Sequence, residues 1–383
     1  MSGKTQLGEE EKSYIREHEE EGYQLLKKLA QIPAPSNHEE RRMEFCRKWL
    51  EECGAKGVYV DSAGNVVYPH YVTEENPMIV FMAHMDVVFP DETPLPWKEE
   101  NGRLYCPGVG DDTANLVALL LSVKYVVQRD LKPENGCGIL FVCNTGEEGL
   151  GNLKGSRKIC EDYGKRIKAF TSFDCGMDTI ACRAVGSERF RVTVRTEGGH
   201  SYSCFGNTNA IAVMADLVRE IYEISVPEGG KTTYNVGTIE GGTSVNTIAQ
   251  EARMLCEYRS DDADSLEWMK TRFEQIFSKK REGAAVTVEQ VGLRPCERLD
   301  QEAEQTRQQM LDFAGEMLLK ITGKTPRLVP ISTDCNIPLS MGIPSVCYGT
   351  CFGSGAHTRE EYVERDSLKF GYEAALTGIL NYF

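Results

Sequence analysis

The chain has 383 residues, 41% of them hydrophobic, and sets 43 Lys and Arg against 58 Asp and Glu for a formal net charge of −15. That length accommodates two domains and at least one large core, and the hydrophobic share is ordinary for a soluble globular protein. The acidic balance argues against a nucleic-acid backbone or an anionic membrane surface as partner, and no stretch approaches the ~20 apolar residues of a membrane span.

The first residues, Met1 to Gln6, lack the apolar centre of an export signal, and the 14 Cys include no Cys-x-x-Cys pair. Reduced thiols in a cytoplasmic protein are therefore expected. Glu9 to Leu29 carries apolar residues at helical spacing and predicts one amphipathic helix. Glu39 to Cys53 predicts another, with Ser36 or Asn37 as its cap. The apolar run Met78 to Ala83, closed by His84, reads as an inner strand of an α/β sheet. A helix over Thr113 to Gln128, a strand over Gly138 to Cys143 and a weaker strand over Ala169 to Phe173 follow. Strands alternating with helices in this way predict an α/β core.

Near Gly186 the pattern changes. Polar and apolar residues alternate from Glu188 to Thr196, which suits a sheet with one wet face. Helix (Ala210–Ile224), strand (Thr233–Ile239), strand (Ala249–Tyr258), helix (Ser265–Phe277) and strand (Ala285–Gln290) then complete a β-α-β-β-α-β order, the ferredoxin-like arrangement. The α/β pattern resumes around Gln301, with an apolar run from Ile343 to Tyr348 and a closing helix from Asp366 to Leu380. The expected organisation is a catalytic domain over residues 1–186 and 299–383, interrupted by a small inserted domain over residues 187–298.

Five polar clusters fall at predicted strand ends or turns. His84-Met85-Asp86 places an imidazole and a carboxylate two residues apart at the end of a strand, where α/β sheets bind ligands. That spacing suits a metal-ligating His whose second nitrogen is oriented by the carboxylate. Gly108 to Thr113 sets Asp111 and Asp112 before a helix, where they could equally act as caps. Glu147 and Glu148 follow the strand ending at Cys143; one Glu can bind metal while the other moves protons, or both can be surface acids. Asp174 ends a strand, and His357 lies in a Gly-flanked loop. Two His with Asp and Glu make an oxygen-rich set that fits two divalent ions, zinc or cobalt or manganese, better than a Cys-favouring structural zinc. Ions ~3.5–4 Å apart can share a hydroxide nucleophile and stabilise a tetrahedral intermediate.

These clusters, in this order, resemble the co-catalytic zinc metallopeptidases, the family of peptidase T, carboxypeptidase G, aminoacylase and acetylornithine deacetylase. The resemblance spans nearly the whole chain. It includes Gly198-Gly199-His200-Ser201, Gly241 to Asn246 and Ser332-Thr333-Asp334. It implies a mixed sheet flanked by helices, with the inserted domain serving as lid and dimerisation module. By the same resemblance His84 and Asp174 hold one ion, Glu148 and His357 the other, and Asp111 bridges them with a cis peptide to Asp112. Asp86 orients His84 and Glu147 is the general acid/base. His200 acts across a homodimer as oxyanion donor, and Asn246 and Arg259 are substrate-binding candidates. The family commonly has Lys after the acidic pair, whereas this chain has Thr113. The implied activity is hydrolysis of short peptides, nearest to peptidase T. Hydrolysis of N-acyl amino acids with the same machinery is the alternative. A non-catalytic binding protein on this fold would be expected to lack Glu147 or a ligand, and all are present.

Overall fold

In the computed structural model, which describes residues 3–383, two helices stand where one was expected: α1 (Glu9–Glu17) and α2 (Glu19–Ala30). They part at His18, whose ring stacks on Tyr14 and whose Nδ1 lies 2.7 Å from the Tyr14 carbonyl. That carbonyl also takes the His18 backbone N–H at 3.1 Å. The ring thus engages a helix carbonyl, and the backbone leaves helical geometry at φ −110°. Helix α3 (Glu40–Glu52) has neither Ser36 nor Asn37 as cap. The Ser36 hydroxyl donates to Asp86 at 2.7 Å instead, and Asn37, at φ 72°, turns its N–H to the Glu39 carboxylate.

Strands β1 (Tyr59–Val60), β2 (Val66–His70) and β3 (Met78–His84) come next, and β3 is buried along its whole length. A six-residue turn, Val109–Ala114, precedes helix α4 (Asn115–Gln128), which therefore starts two residues later than expected. Strand β4 (Gly138–Asn144), helix α5 (Lys154–Tyr163) and strands β5 (Ile167–Phe173) and β6 (Thr179–Ala184) complete this part of the chain.

Val185–Glu297 forms a compact unit of its own. Its elements are β7 (Gly186–Thr196), α6 (Ala210–Tyr222), β8 (Thr232–Gly241), β9 (Glu251–Ser260), α7 (Ala263–Ser278) and β10 (Ala284–Arg294). The sheet order is β8-β9-β7-β10 with every pairing antiparallel, the order of a ferredoxin-like fold. Alternation decides its faces. Val192, Val194, Met254 and Cys256 pack into a core with Met214, Leu217, Met269 and Phe273 of the two helices. Arg191, Arg195 and Arg253 point to water and pair with Glu289 and Glu251.

The other unit comprises the chain up to Ala184 together with Arg298–Phe383. Its last part supplies α8 (Gln301–Thr322), β11 (Arg327–Ile331), α9 (Asn336–Ser340), β12 (Ser345–Tyr348) and α10 (Leu368–Leu380). The mixed sheet runs β1-β2-β4-β3-β5-β12-β6-β11, and β4, β3, β5 and β12 are parallel at its centre. Odd and even residues of β3 face opposite layers: Ile79 and Phe81 meet a core with residues of α4, α8 and α10, while Val80 and Met82 meet residues of α5 and α9. Covering both faces explains why the central strands read as unbroken apolar runs. Among the described residues no helix is long and apolar enough to cross a membrane.

Candidate metal centre

Because β3, β4 and β5 are parallel, their carboxyl ends open on one edge. His84 closes β3 opposite Asn144, the last residue of β4, so the loop carrying Glu147 and Glu148 starts beside it. Asp174 follows β5 directly. Asp111 arrives on the turn before α4, where Gly108 sits at φ 75° and a Cβ would come within 2.3 Å of Val87. His357, at φ 64°, comes from the loop before the closing helix.

Asp111 lies between the two imidazoles. Its Oδ1 is 3.2 Å from His84 Nε2 and its Oδ2 is 3.1 Å from His357 Nε2. His357 Nε2 is also 2.9 Å from Glu148 Oε1. Donor atoms of His84, Asp111 and Glu148 all lie within 4.8 Å of one another, as do those of His84, Asp112 and Asp174. The Asp111–Asp112 peptide is cis. Asp112 accepts the His84 backbone N–H at 2.8 Å and the Asn115 amide at 2.6 Å, so its carboxylate ties the end of β3 to α4.

Asp86 is fully buried, and its carboxylate does more than face His84. It accepts the backbone N–H groups of Glu147 at 3.0 Å and Glu148 at 2.9 Å, besides the Ser36 hydroxyl. The His84 Nδ1 lies nearer the Asp86 backbone carbonyl, at 3.0 Å, than its carboxylate, at 3.4 Å. Asp86 therefore fixes the start of the Glu147–Glu148 loop as much as the ring it was expected to orient.

The electrostatics follow from burial and crowding. Burial pushes the Glu148 carboxyl up to about 8, against the hydrogen bond from His357 and with repulsion from Asp111 and Glu147. Burial and then the Asp111 charge push Asp174 up to about 7. Asp111 shifts the other way: burial opposes it, but hydrogen bonds from His357 and His84 hold it well below the carboxylate range. Those to Asp111 and Glu148 raise His357 to about 10. Cys175 and Cys347 lie beside Asp174. Despite the Cys347 hydrogen bond, burial raises the Cys175 thiol to about 11.

This donor set fits divalent cations. Ligands ~2.1 Å from one ion stand about 3.4 Å apart, close to the imidazole–carboxylate separations of 3.1 and 3.2 Å seen here. Imidazole and carboxylate also suit zinc, cobalt and manganese. Buried carboxylates this dense are costly without a cation among them.

Two further residues of the centre, Arg42 and Glu361, carried little sequence signal. Arg42 is fully buried and donates to the carbonyls of Ile32 and Met85, each at 2.9 Å, and to the Thr113 hydroxyl at 3.1 Å. Burial pushes its guanidinium down to about 10. The hydroxyl at position 113 thus receives a buried cation that reaches it from α3. Asp334 accepts the Asn144 amide at 2.6 Å, and Glu361 accepts backbone N–H groups from the Asp111 turn.

His200, Asn246 and Arg259 belong to the inserted unit. A two-residue ladder pairs His200 with Thr247, and Ser201 N–H donates to the Asn246 carbonyl at 3.0 Å, so the His200 and Asn246 loops lie side by side. The Tyr202 N–H faces His200 Nδ1 at 3.2 Å, which leaves the proton of a neutral ring on Nε2. Arg259 makes a two-point pairing with Glu257, at 2.8 and 3.1 Å.

A family model described as peptidase family M20/M25/M40 matches residues 80–381. The chain belongs to that family. It is a hydrolase of the metallopeptidase and amidohydrolase class, acting on peptides or acyl amino acids. This M20 chain is 25% identical over 363 residues to an uncharacterized protein of Bacillus subtilis, YqjE, covering 89% of the chain and 92% of YqjE. It is 26% identical over 224 residues to succinyl-diaminopimelate desuccinylase of Nitrosomonas eutropha, covering 54% of the chain and 58% of that enzyme. A tripeptidase structure from Staphylococcus aureus superposes with a TM-score of 0.71 at 22% identity, covering 94% of this chain and 97% of the other, a likeness of fold.

Proposed function

We propose that this chain is a dinuclear metallopeptidase that removes residues from short peptides, a di- or tripeptidase of the peptidase T kind. The observation that carries the reading is Asp111, with one carboxylate oxygen at each of two imidazoles. In this reading His84 and Asp174 hold one divalent ion, zinc or else cobalt or manganese, Glu148 and His357 hold a second, and Asp111 serves both. Bound there, such ions supply Lewis acidity to an amide carbonyl and acidify water at neutral pH.

The chain's own groups do the rest. Glu147, its backbone fixed by Asp86, takes the proton of the attacking water and returns it to the leaving amine, so one amide and one water become one acid and one amine. His200 donates a hydrogen bond from its Nε2–H to the carbonyl oxygen as negative charge develops there, from the partner of a homodimer formed through the inserted unit. Asn246, beside it, binds substrate backbone. Arg259 shares its guanidinium between Glu257 and a substrate carboxylate.

The test is a hydrolysis panel with metal-reconstituted protein, comparing di- and tripeptides with N-acetyl and N-succinyl amino acids of matched side chain. The similarity to a desuccinylase makes the N-acyl arm necessary. A kcat/KM at least ~10-fold higher for the free peptides supports the peptidase reading. The reverse preference supports an N-acyl-amino-acid amidohydrolase, and hydrolysis of neither class by protein shown to hold metal refutes both.

A further inference from the structure

Glu361 lies four residues after His357, and its side chain is 2% exposed. Its Oε2 accepts the Gly108 N–H at 2.7 Å, and its Oε1 accepts the N–H groups of Gly110 and Asp111, both at 2.8 Å. All three donors belong to the turn that presents Asp111, and one is the amide of Asp111 itself. The fit is close on both sides: a Cβ at Gly110 would stand 3.1 Å from Glu361 Oε1 and 3.3 Å from Val363.

The surrounding backbone continues the connection. Cys106 N–H donates to the Glu361 carbonyl, and Arg103–Tyr105 pairs antiparallel with Tyr362–Glu364. On the other side of Glu361, Thr358 folds back on Gly355 through its N–H at 2.9 Å and its hydroxyl at 2.7 Å, which closes the loop that holds His357. Two segments about 250 residues apart in sequence thus meet through one carboxylate.

We infer that Glu361 is a positioning residue that locks the Asp111 turn to the His357 loop, so that the two ligand-bearing segments form one metal centre. The inference rests on the dinuclear reading above. A carboxylate is required because only an acceptor with two equivalent oxygens can take amides from both sides of the turn. A Gln at 361 could still accept from Gly110 and Asp111 but would set its own N–H groups against that of Gly108. Ala would leave all three amides unpaired.

The experiment is a cobalt(II) titration of the apo full-length chain, read by visible absorbance and calorimetry, for the wild type, Glu361→Gln and Glu361→Ala. Circular dichroism and the apo melting midpoint are measured alongside. Groups that orient ligands typically change metal affinity 10–100-fold, so we expect about 10-fold weaker binding for Gln and about 100-fold for Ala in protein that remains folded. A residue that merely stabilises the fold would lower the melting midpoint and leave cobalt affinity in the folded protein unchanged. Two ions bound with wild-type affinity by folded Glu361→Gln would overturn the inference, and should Glu361→Ala not fold, the Gln variant decides alone. Wild-type protein that binds no cobalt would instead overturn the dinuclear reading, and this inference with it.

Discussion

Removing divalent ions should cost this protein a large part of its thermal stability. Without a cation, Asp111, Glu148 and Asp174 crowd one edge of the sheet, and the imidazoles of His84 and His357 are the partners they face. An ion that binds only the folded state stabilises it by RT ln(1 + [L]/Kd), about 4.1 kcal/mol per site at 1,000 times Kd and about 8 kcal/mol for two sites. One kcal/mol moves the midpoint by about 2 °C for a unit as large as the one carrying these residues, so saturation should raise it by about 16 °C over chelator-treated protein. Each tenfold step in free ion should add about 5 °C once both sites are above Kd. Differential scanning calorimetry of apo protein across a zinc or cobalt series measures this directly. Asp111→Asn should lose most of the dependence at once, because its two oxygens face both imidazoles. A midpoint that ignores ion concentration in natively folded protein would refute the argument that these acids are gathered to hold cations.

Replacing Glu147 with Gln should lower kcat by at least ~10²-fold while metal content stays at the wild-type level; loss of metal with turnover retained would reverse the roles given to Glu147 and Glu148. His200→Ala should also lower kcat by ~10²-fold or more, and mixing it with Glu147→Gln protein should restore activity, since a mixed dimer holds one site with both groups. No recovery in mixtures shown to exchange subunits rules out action across an interface. His70 makes a different prediction. Burial lowers its pKa, against its hydrogen bond to the Leu131 carbonyl, so the folded state keeps it neutral while the unfolded chain takes a proton near its usual 6.5. That contribution is complete above about 6.5 and is lost as pH falls from there through the folded value. Urea titrations from pH 7.5 to 5.5 should therefore show wild type losing more stability than His70→Gln, and a pH-independent difference between the two would contradict this.

The parts of the fold legible in the sequence are those where burial leaves a continuous or periodic mark. Strands β3 and β4 are apolar on both faces, and α4 and α10 are buried over most of their length. The switch to alternation after Gly186 marks a sheet with one face on helices and the other in water. Strands β2 and β11 were not legible. Each contains a proline, Pro69 or Pro330, and is strand only because a neighbour supplies the pairing. The break at His18 depends on a ring reaching a carbonyl one turn back, which helical periodicity does not register. In the centre, polar residues at strand ends marked the place, because a strand's direction fixes where its last side chains emerge. Partners that reach in from elsewhere stayed hidden. Arg42 reads as one more charge on an amphipathic helix, and Glu361 stands beside exposed Glu360 with nothing in the sequence to separate them.

Strand β12 lies between β5 and β6, yet it is the last strand of this sheet to be synthesised. A nascent chain therefore has β5 and β6 in hand, with Asp111, Glu148 and Asp174, while the slot between those strands stays open. Only when Ser345–Tyr348 enters that slot does the sheet become continuous, and His357 follows within the next few residues. The last histidine of the centre is thus delivered after the scaffold that must hold it. A chain stopped short of Ser345 would keep β5 and β6 with open edges, inviting strands from other chains. The order of the strands along the chain thus sets the order in which the parts of the centre can come together.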